Sequence, residues 1–213
     1  MRKKELICLD MDNTLVRSNK VHMIAFVDSF KKNNLPKRTR KEIMEVFSLP
    51  GEIMVKRLYP HLTHKRIKDI VDDHDEFVIK ETYKYAKRIP GVLNALKLLK
   101  KKYKIVIVTN CKHKEIRPIL KGAGIERKYF DRVIGNDDVK NGKPKPDEIF
   151  KAEKLMHVKS AIMVGDAIYD VMAARRANVK CFAVLTGNHS RKELMKEKPY
   201  KILRSVKYLP KHL

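Results

Sequence analysis

Leu6–Ile7–Cys8–Leu9–Asp10–Met11–Asp12–Asn13–Thr14–Leu15 is the stretch from which the rest of the chain is read. Four consecutive apolar residues fit a strand buried on both faces, and two carboxylates sit where that strand ends. Carboxylates one residue apart at the tip of a buried strand are costly unless a cation or a reacting group occupies the space between them. The plain alternative is a polar turn that caps a following helix, a role Asp and Asn also favour. In an open α/β sheet, ligands bind outside the carboxyl ends of the strands, so other strand ends should carry partners for Asp10 and Asp12.

They do. Ile105–Val106–Ile107–Val108 is a second apolar run and is followed by Thr109–Asn110. Arg132–Val133–Ile134 is a short third, and Ala161–Ile162–Met163–Val164 a fourth, followed by Gly165–Asp166–Ala167–Ile168–Tyr169–Asp170. Cys181–Phe182–Ala183–Val184 is a fifth. Between the third and fourth lies Gly142–Lys143–Pro144–Lys145–Pro146–Asp147, a lysine in a proline-stiffened loop. Amphipathic helices separate these runs, with apolar faces at Val92/Ala95/Leu96/Leu99 and Ile116/Ile119/Leu120/Ala123 and helices near Ile149–Met156 and Val171–Ala177. Continuous apolar strands alternating with helices predict an α/β fold, a doubly wound parallel sheet.

Residues 16–88 read differently. Met23, Phe26, Val27 and Phe30 share one helical face, Thr39 with Glu42 forms a capping-box signature, and Pro50–Gly51 breaks the pattern. A longer helix carries Ile67, Ile70, Val71, His74, Phe77 and Val78, and Pro90–Gly91 closes the region. An all-helical cap domain over residues 16–88 is therefore expected, inserted into a core domain made of residues 1–15 and 89–213.

The chain has 213 residues, 43% of them hydrophobic, which is enough for a packed interior. No apolar run approaches the ~20 residues of a membrane span, and the run before Asp10 is too short for a signal peptide, so a cytoplasmic address is expected. Cys8 and Cys181 sit in apolar runs as core residues, and three cysteines without pair spacing imply neither disulfide nor zinc framework. The net charge of +24 raises the question of nucleic acid. Yet residues 16–88 hold 17 Lys/Arg against 10 Asp/Glu, a net of +7, so the excess is spread roughly in proportion to length. The densest part, Arg191–Leu213, has eight basic and two acidic residues, and its two tyrosines, Tyr200 and Tyr208, do not make the aromatic–basic interleaving that stacks single-stranded bases. This is read as solvated surface that attracts anions rather than as a specific nucleic-acid interface.

Together, DMDNT (Asp10–Thr14), Thr109–Asn110, Lys143 in KPKP and GDAIYD (Gly165–Asp170) resemble the four motifs of the haloacid-dehalogenase-like hydrolases. The helical insertion resembles their phosphoglycolate-phosphatase and β-phosphoglucomutase branch. That resemblance implies a magnesium-dependent phosphatase acting on a small phosphorylated metabolite through an aspartyl-phosphate. It implies Asp10 as nucleophile and Asp12 as general acid and base. The Asp10 carboxylate, the Asp12 backbone carbonyl and the Asp166 carboxylate would ligate Mg2+, with Asp170 orienting the assembly. Thr109, Asn110 and Lys143 would bind the phosphate, and Thr14 would fix the loop. Dehalogenases of the superfamily lack a carboxylate at the position of Asp12, which favours phosphoryl chemistry. Ala167 departs from the Ser or Thr of many relatives without removing a ligand. Ser18 and His22 match a pattern at the start of the cap, although a lone helical histidine is more often a packing residue. Lys56, Arg57, His61 and His64 are cap side chains that could reach substrate, and nothing in the sequence selects among them. A phosphomutase is the nearest alternative, followed by a nucleic-acid end phosphatase or a degenerate binding protein. Either a monomer or a homodimer is expected, with no membrane partner.

Overall fold

The computed structural model describes residues 5–213. Strand β1 (Glu5–Leu9) runs through the middle of the molecule because its side chains from Leu6 to Leu9 are fully buried on both faces. A short strand β2 (Val16–Arg17) leads into four helices: α1 (Asn19–Lys32), α2 (Arg40–Val46), α3 (Gly51–Leu58) and α4 (His64–Lys80). Strand β3 (Lys87–Arg88) returns the chain, followed by α5 (Val92–Lys102), β4 (Tyr103–Val108), α6 (His113–Gly122) and β5 (Arg132–Ile134). The chain ends with α7 (Asp147–Met156), β6 (Ala161–Gly165), α8 (Ile168–Arg176), β7 (Lys180–Val184), α9 (Arg191–Lys196) and β8 (Lys201–Leu203).

Six strands form one sheet in the order β5-β4-β1-β6-β7-β8, with every pairing parallel. β1 pairs on one side with β4, Glu5 opposite Tyr103, and on the other with β6, Leu6 opposite Ala161. Neighbours on both sides explain why β1 has no polar residue until its end: a parallel strand covered by helices has no solvent face. The sheet's two faces carry separate apolar layers. One gathers Ile7, Leu9 and Ile107 with Leu96 and Ile119; the other gathers Leu6, Cys8 and Val106 with Ile149 and Ala173.

The α1–α4 helices enclose a third core around Phe26, Phe30, Met54, Tyr59 and Ile70. The Thr39 capping box forms: Glu42 N–H donates to Thr39 Oγ1 at 3.3 Å and Thr39 N–H to the Glu42 carboxylate at 2.7 Å. Two features correct the expectation from sequence. The segment from 16 to 88 is not all helix, because β2 and β3 pair antiparallel where the chain leaves and re-enters the main sheet. The sheet also has a sixth strand, β8, inside the basic C-terminal stretch.

Candidate active site

The chain turns sharply after β1. Asn13 takes a left-handed φ of 53°, a conformation Asn tolerates better than most residues, and Leu15 N–H donates back to the Met11 carbonyl at 2.9 Å. The turn leaves Asp10 at the end of the strand, its own N–H held by the Val164 carbonyl at 2.9 Å. The ends of β4 and β6 bring Thr109 and Asp166 alongside, so widely separated segments converge on one cavity of about 80 Å3. Asp10, Asp12, Thr109, Asn110, Lys143, Asp166 and Asp170 all line it.

Lys143 organises the cavity floor. Its ammonium donates to Asp10 Oδ1 at 2.7 Å, to Asp170 Oδ1 at 2.7 Å and to the Val108 carbonyl at 3.1 Å, one acceptor for each proton. Burial opposes its charge, but Asp10 and Asp170 hold its pKa well above the usual lysine value. Asp170 is fully committed, since its Oδ2 accepts the Ala167 N–H at 2.9 Å. Its carboxylate also lies so close to the Gly165 backbone that a Cβ there would overlap it.

Asp10 and Asp166 are not fully committed. Asp166 accepts the Thr14 hydroxyl on Oδ1 at 3.3 Å, so Thr14 fixes a carboxylate rather than the loop backbone alone. The Oδ2 atoms of Asp10 and Asp166 are buried without a hydrogen-bond partner. Burial together with the neighbouring carboxylates raises Asp10 to about 7, with Lys143 offsetting part of the shift, and raises Asp166 well above the carboxylate range. Oxygens of Asp10, Asp166 and Asp170 lie within 4.8 Å of one another. Orphaned oxygens on two carboxylates of one buried cluster fit a hard, oxygen-preferring divalent cation, which would relieve both the repulsion and the missing bonds. Gly187 closes this side: a Cβ at that position would overlap the Asp166 carboxylate.

Asp12 points elsewhere. Its carboxylate meets His22 Nε2 at 3.2 Å, Cys111 Sγ at 3.0 Å and Thr109 Oγ1 at 3.5 Å. Burial works against its charge, yet His22 holds it down to about 2. His22 is in turn raised, because Asp12 outweighs the cost of burying an imidazolium. His22 Nδ1 lies 3.2 Å from His74 Nε2, and His74 Nδ1 lies 3.0 Å from Asp75 Oδ1. Burial lowers His74 to about 4, so it is neutral. A carboxylate only accepts, so the neutral His74 donates from Nδ1 to Asp75 and accepts at Nε2 from His22. This relay reaches from α4 to the cavity; His22 is legible through its resemblance to a family pattern, whereas its pairing with His74 follows from no sequence spacing.

Asn110 does not present its amide to the cavity centre. Its Nδ2 donates to the Ser48 carbonyl at 3.0 Å and to the Lys143 carbonyl at 3.1 Å, tying the helical insertion to the lysine loop. The insertion's contribution to the cavity wall also differs from expectation. His22, Phe26, Phe47, Ser48, Leu49 and Gly51 line it, whereas Lys56, Arg57, His61 and His64 do not. Lys56 donates instead to the carbonyls of Pro60 and Leu62 within the insertion. Apolar wall residues carry no motif, and charged cap residues are drawn to solvent.

The family model of haloacid dehalogenase-like hydrolases matches residues 7–184. The chain is 29% identical over 181 residues to pyrophosphatase PpaX of Halalkalibacterium halodurans, spanning 84% of this chain and 82% of that protein. It is 28% identical over 217 residues to phosphoglycolate phosphatase of Pseudomonas fluorescens, spanning 96% and 78%. A crystal structure of a hydrolase from Pseudomonas syringae superimposes with a TM-score of 0.87 at 24% identity, covering 98% of this chain and 97% of that one. The chain belongs to the haloacid dehalogenase-like hydrolase family. It carries that family's hydrolase core on a six-stranded parallel sheet.

Proposed function

We propose that the protein is a magnesium-dependent phosphatase that hydrolyses a small phosphate ester through an aspartyl-phosphate on Asp10. The observation that carries this reading is Asp10 itself. One oxygen is neutralised by Lys143 at 2.7 Å, while the other is buried and unpartnered, as is Oδ2 of Asp166, whose carboxylate belongs to the same cluster. The names of the relatives, pyrophosphatase and phosphoglycolate phosphatase, support phosphoryl rather than halide chemistry. A cavity of about 80 Å3 supports a small substrate, with α1–α4 acting as the cap.

Asp10 Oδ2 and Asp166 Oδ2 would hold magnesium, with the Asp12 backbone carbonyl as the ligand implied by the family motif. When bound, magnesium offsets the charge of carboxylate and phosphate oxygens so that one anion can approach the other. Asp10 then attacks phosphorus and becomes the mixed anhydride. Lys143 balances charge on Asp10 and the phosphoryl oxygens, and Thr109, at the end of β4, offers its hydroxyl to the same group. Asp12, kept ionised by His22, relays to the leaving oxygen a proton drawn from His22 Nε2 and afterwards takes one from the water that cleaves the anhydride. His22 Nε2, 3.2 Å from Asp12, keeps a proton within reach of that carboxylate. Cap residues Phe26, Phe47 and Leu49 exclude bulk water, which strengthens each of these interactions.

The test is release of inorganic phosphate from a panel of phosphate esters that includes phosphoglycolate, with pyrophosphate alongside. Turnover should vanish with a chelator, return with magnesium, and be abolished in Asp10→Asn without loss of cooperative unfolding. Wild-type rates in Asp10→Asn would overturn the mechanism. Conversion of a sugar phosphate to its isomer without net phosphate release would identify a phosphomutase instead.

A further inference from the structure

The geometry points to a second metal site, built for a soft divalent cation such as zinc, formed by Asp12, His22 and Cys111 in the wall of the cavity. Tetrahedral zinc with bonds of about 2.0–2.3 Å to O, N and S places its ligand atoms about 3.3–3.6 Å apart. Cys111 Sγ lies 3.0 Å from Asp12 Oδ2, His22 Nε2 lies 3.2 Å from Asp12 Oδ1, and Cys111 Sγ lies 3.8 Å from His22 Nε2. Asp12 meets the two neighbours through different oxygens, Oδ2 toward Cys111 and Oδ1 toward His22. A carboxylate oxygen of Asp12, a ring nitrogen of His22 and the Cys111 sulfur all lie within 4.8 Å of one another, so a modest closing of these donors onto a cation gives such a tetrahedron.

A second, independent observation concerns the far side of the imidazole. Metal-binding histidines donate their other ring N–H to a fixed acceptor, which sets tautomer and orientation. His22 Nδ1 faces His74 Nε2 at 3.2 Å, and His74 is fixed by Asp75 at 3.0 Å. His22 Nε2 is thereby aimed at the Cys111–Asp12 edge, where loss of its proton exposes the lone pair. His22 and Cys111 are only 7% and 9% exposed, while Asp12 borders the cavity, so the fourth position opens toward it and can take water or a substrate oxygen. Thiol and imidazole discriminate against magnesium, and the all-oxygen set of Asp10 and Asp166 favours it, so the two metals sort by ligand chemistry. On binding, the thiol proton and the His22 Nε2 proton pass to solvent, leaving thiolate and neutral imidazole on the cation. Asp12 is then occupied and can no longer exchange a proton with a leaving oxygen. That consequence, inhibition, rests on the function proposed above; the site itself does not.

The experiment uses the full-length protein under reducing conditions in excess magnesium. Cobalt, as a spectroscopic stand-in for zinc, should bind one per chain. It should give the near-ultraviolet thiolate-to-cobalt band with tetrahedral visible absorption, and zinc should displace it. Cys111→Ser should abolish the thiolate band and weaken zinc binding more than about 100-fold, since losing even an outer hydrogen-bond partner of a ligand costs about 10–100-fold. His74→Gln should weaken zinc binding within that smaller range. Zinc should inhibit the parent, and Cys111→Ser, measured against its own magnesium-supported rate, should lose most of that sensitivity. Cobalt binding without a thiolate band, or zinc affinity that survives Cys111→Ser but is lost in Asp166→Asn, would overturn the site. A thiolate band in a protein without phosphatase activity would uphold the site and sink the proposed function. Turnover without the band would do the reverse.

Discussion

Lys143 uses all three ammonium protons on Asp10, Asp170 and the Val108 carbonyl, at 3% exposure. Removing one partner of a buried ion network leaves the others charged and unpaired, which costs about 3–5 kcal/mol. Lys143→Met should therefore lower the urea midpoint by that equivalent and also remove turnover; an unchanged midpoint would show that the network is not under load. Glu148, on α7 behind the lysine loop, is fully buried with neither oxygen hydrogen-bonded. Burial, relieved in part by Lys143 and aggravated by Asp10, raises it to about 8. The folded protein keeps a proton that the unfolded chain releases above an ordinary glutamate pKa of about 4.3. Its contribution is thus fully present at low pH and is lost as pH rises toward 8. Glu148→Gln should gain thermal stability relative to the parent from pH 5 to pH 8; a constant difference across that range would refute the assignment. At this scale the sequence was informative where residue types cluster at strand ends. Asp10, Asp12, Thr109, Lys143, Asp166 and Asp170 could be picked out because their chemistry is costly without a purpose. Glu148 could not, and nor could Glu115, which is buried in the first turn of α6, because a buried acid on an amphipathic helix has the same spacing as a surface one.

Elements were legible in proportion to their periodicity. β1, β4 and β6 announce themselves as apolar runs, and α4 by its repeating apolar face, but β2 and β3 are two residues each and follow no period. β8 was hidden for a different reason: Lys201–Ile202–Leu203 lies in a lysine-rich stretch and gains its strand character only from pairing with Phe182–Val184 of β7. The capping box of α2 is a local interaction and was readable as such. Thr39→Ala should lower Tm by about 2–4 °C while leaving kcat unchanged, because Thr39 does not line the cavity. A loss of activity without a fall in Tm would mean that α2 does more than support the insertion.

Across the whole molecule, the insertion and the sheet are joined by charge. Asp75 on α4, almost fully buried, faces Lys112 Nζ at 2.9 Å and Lys114 Nζ at 3.0 Å, both from the segment that opens α6. Asp75→Asn should loosen this seam, raising KM several-fold and flattening its dependence on salt; an unaltered KM would show that other contacts hold the insertion in place. The net charge of +24 acts over longer range. Retention on a polyanionic matrix should be strong at low ionic strength and fall steeply by about 200 mM salt, as counterion release dictates for binding without sequence preference. Sequence-selective retention at high salt would contradict a diffuse basic surface. The central position of β1 has a further consequence, for biosynthesis. Its partners, beginning at Tyr103 and Ala161, leave the ribosome long after it does. Through that interval four adhesive residues, Leu6 to Leu9, await their places in the sheet, so slow refolding and a need to shield the nascent chain from its own kind are the expected outcome.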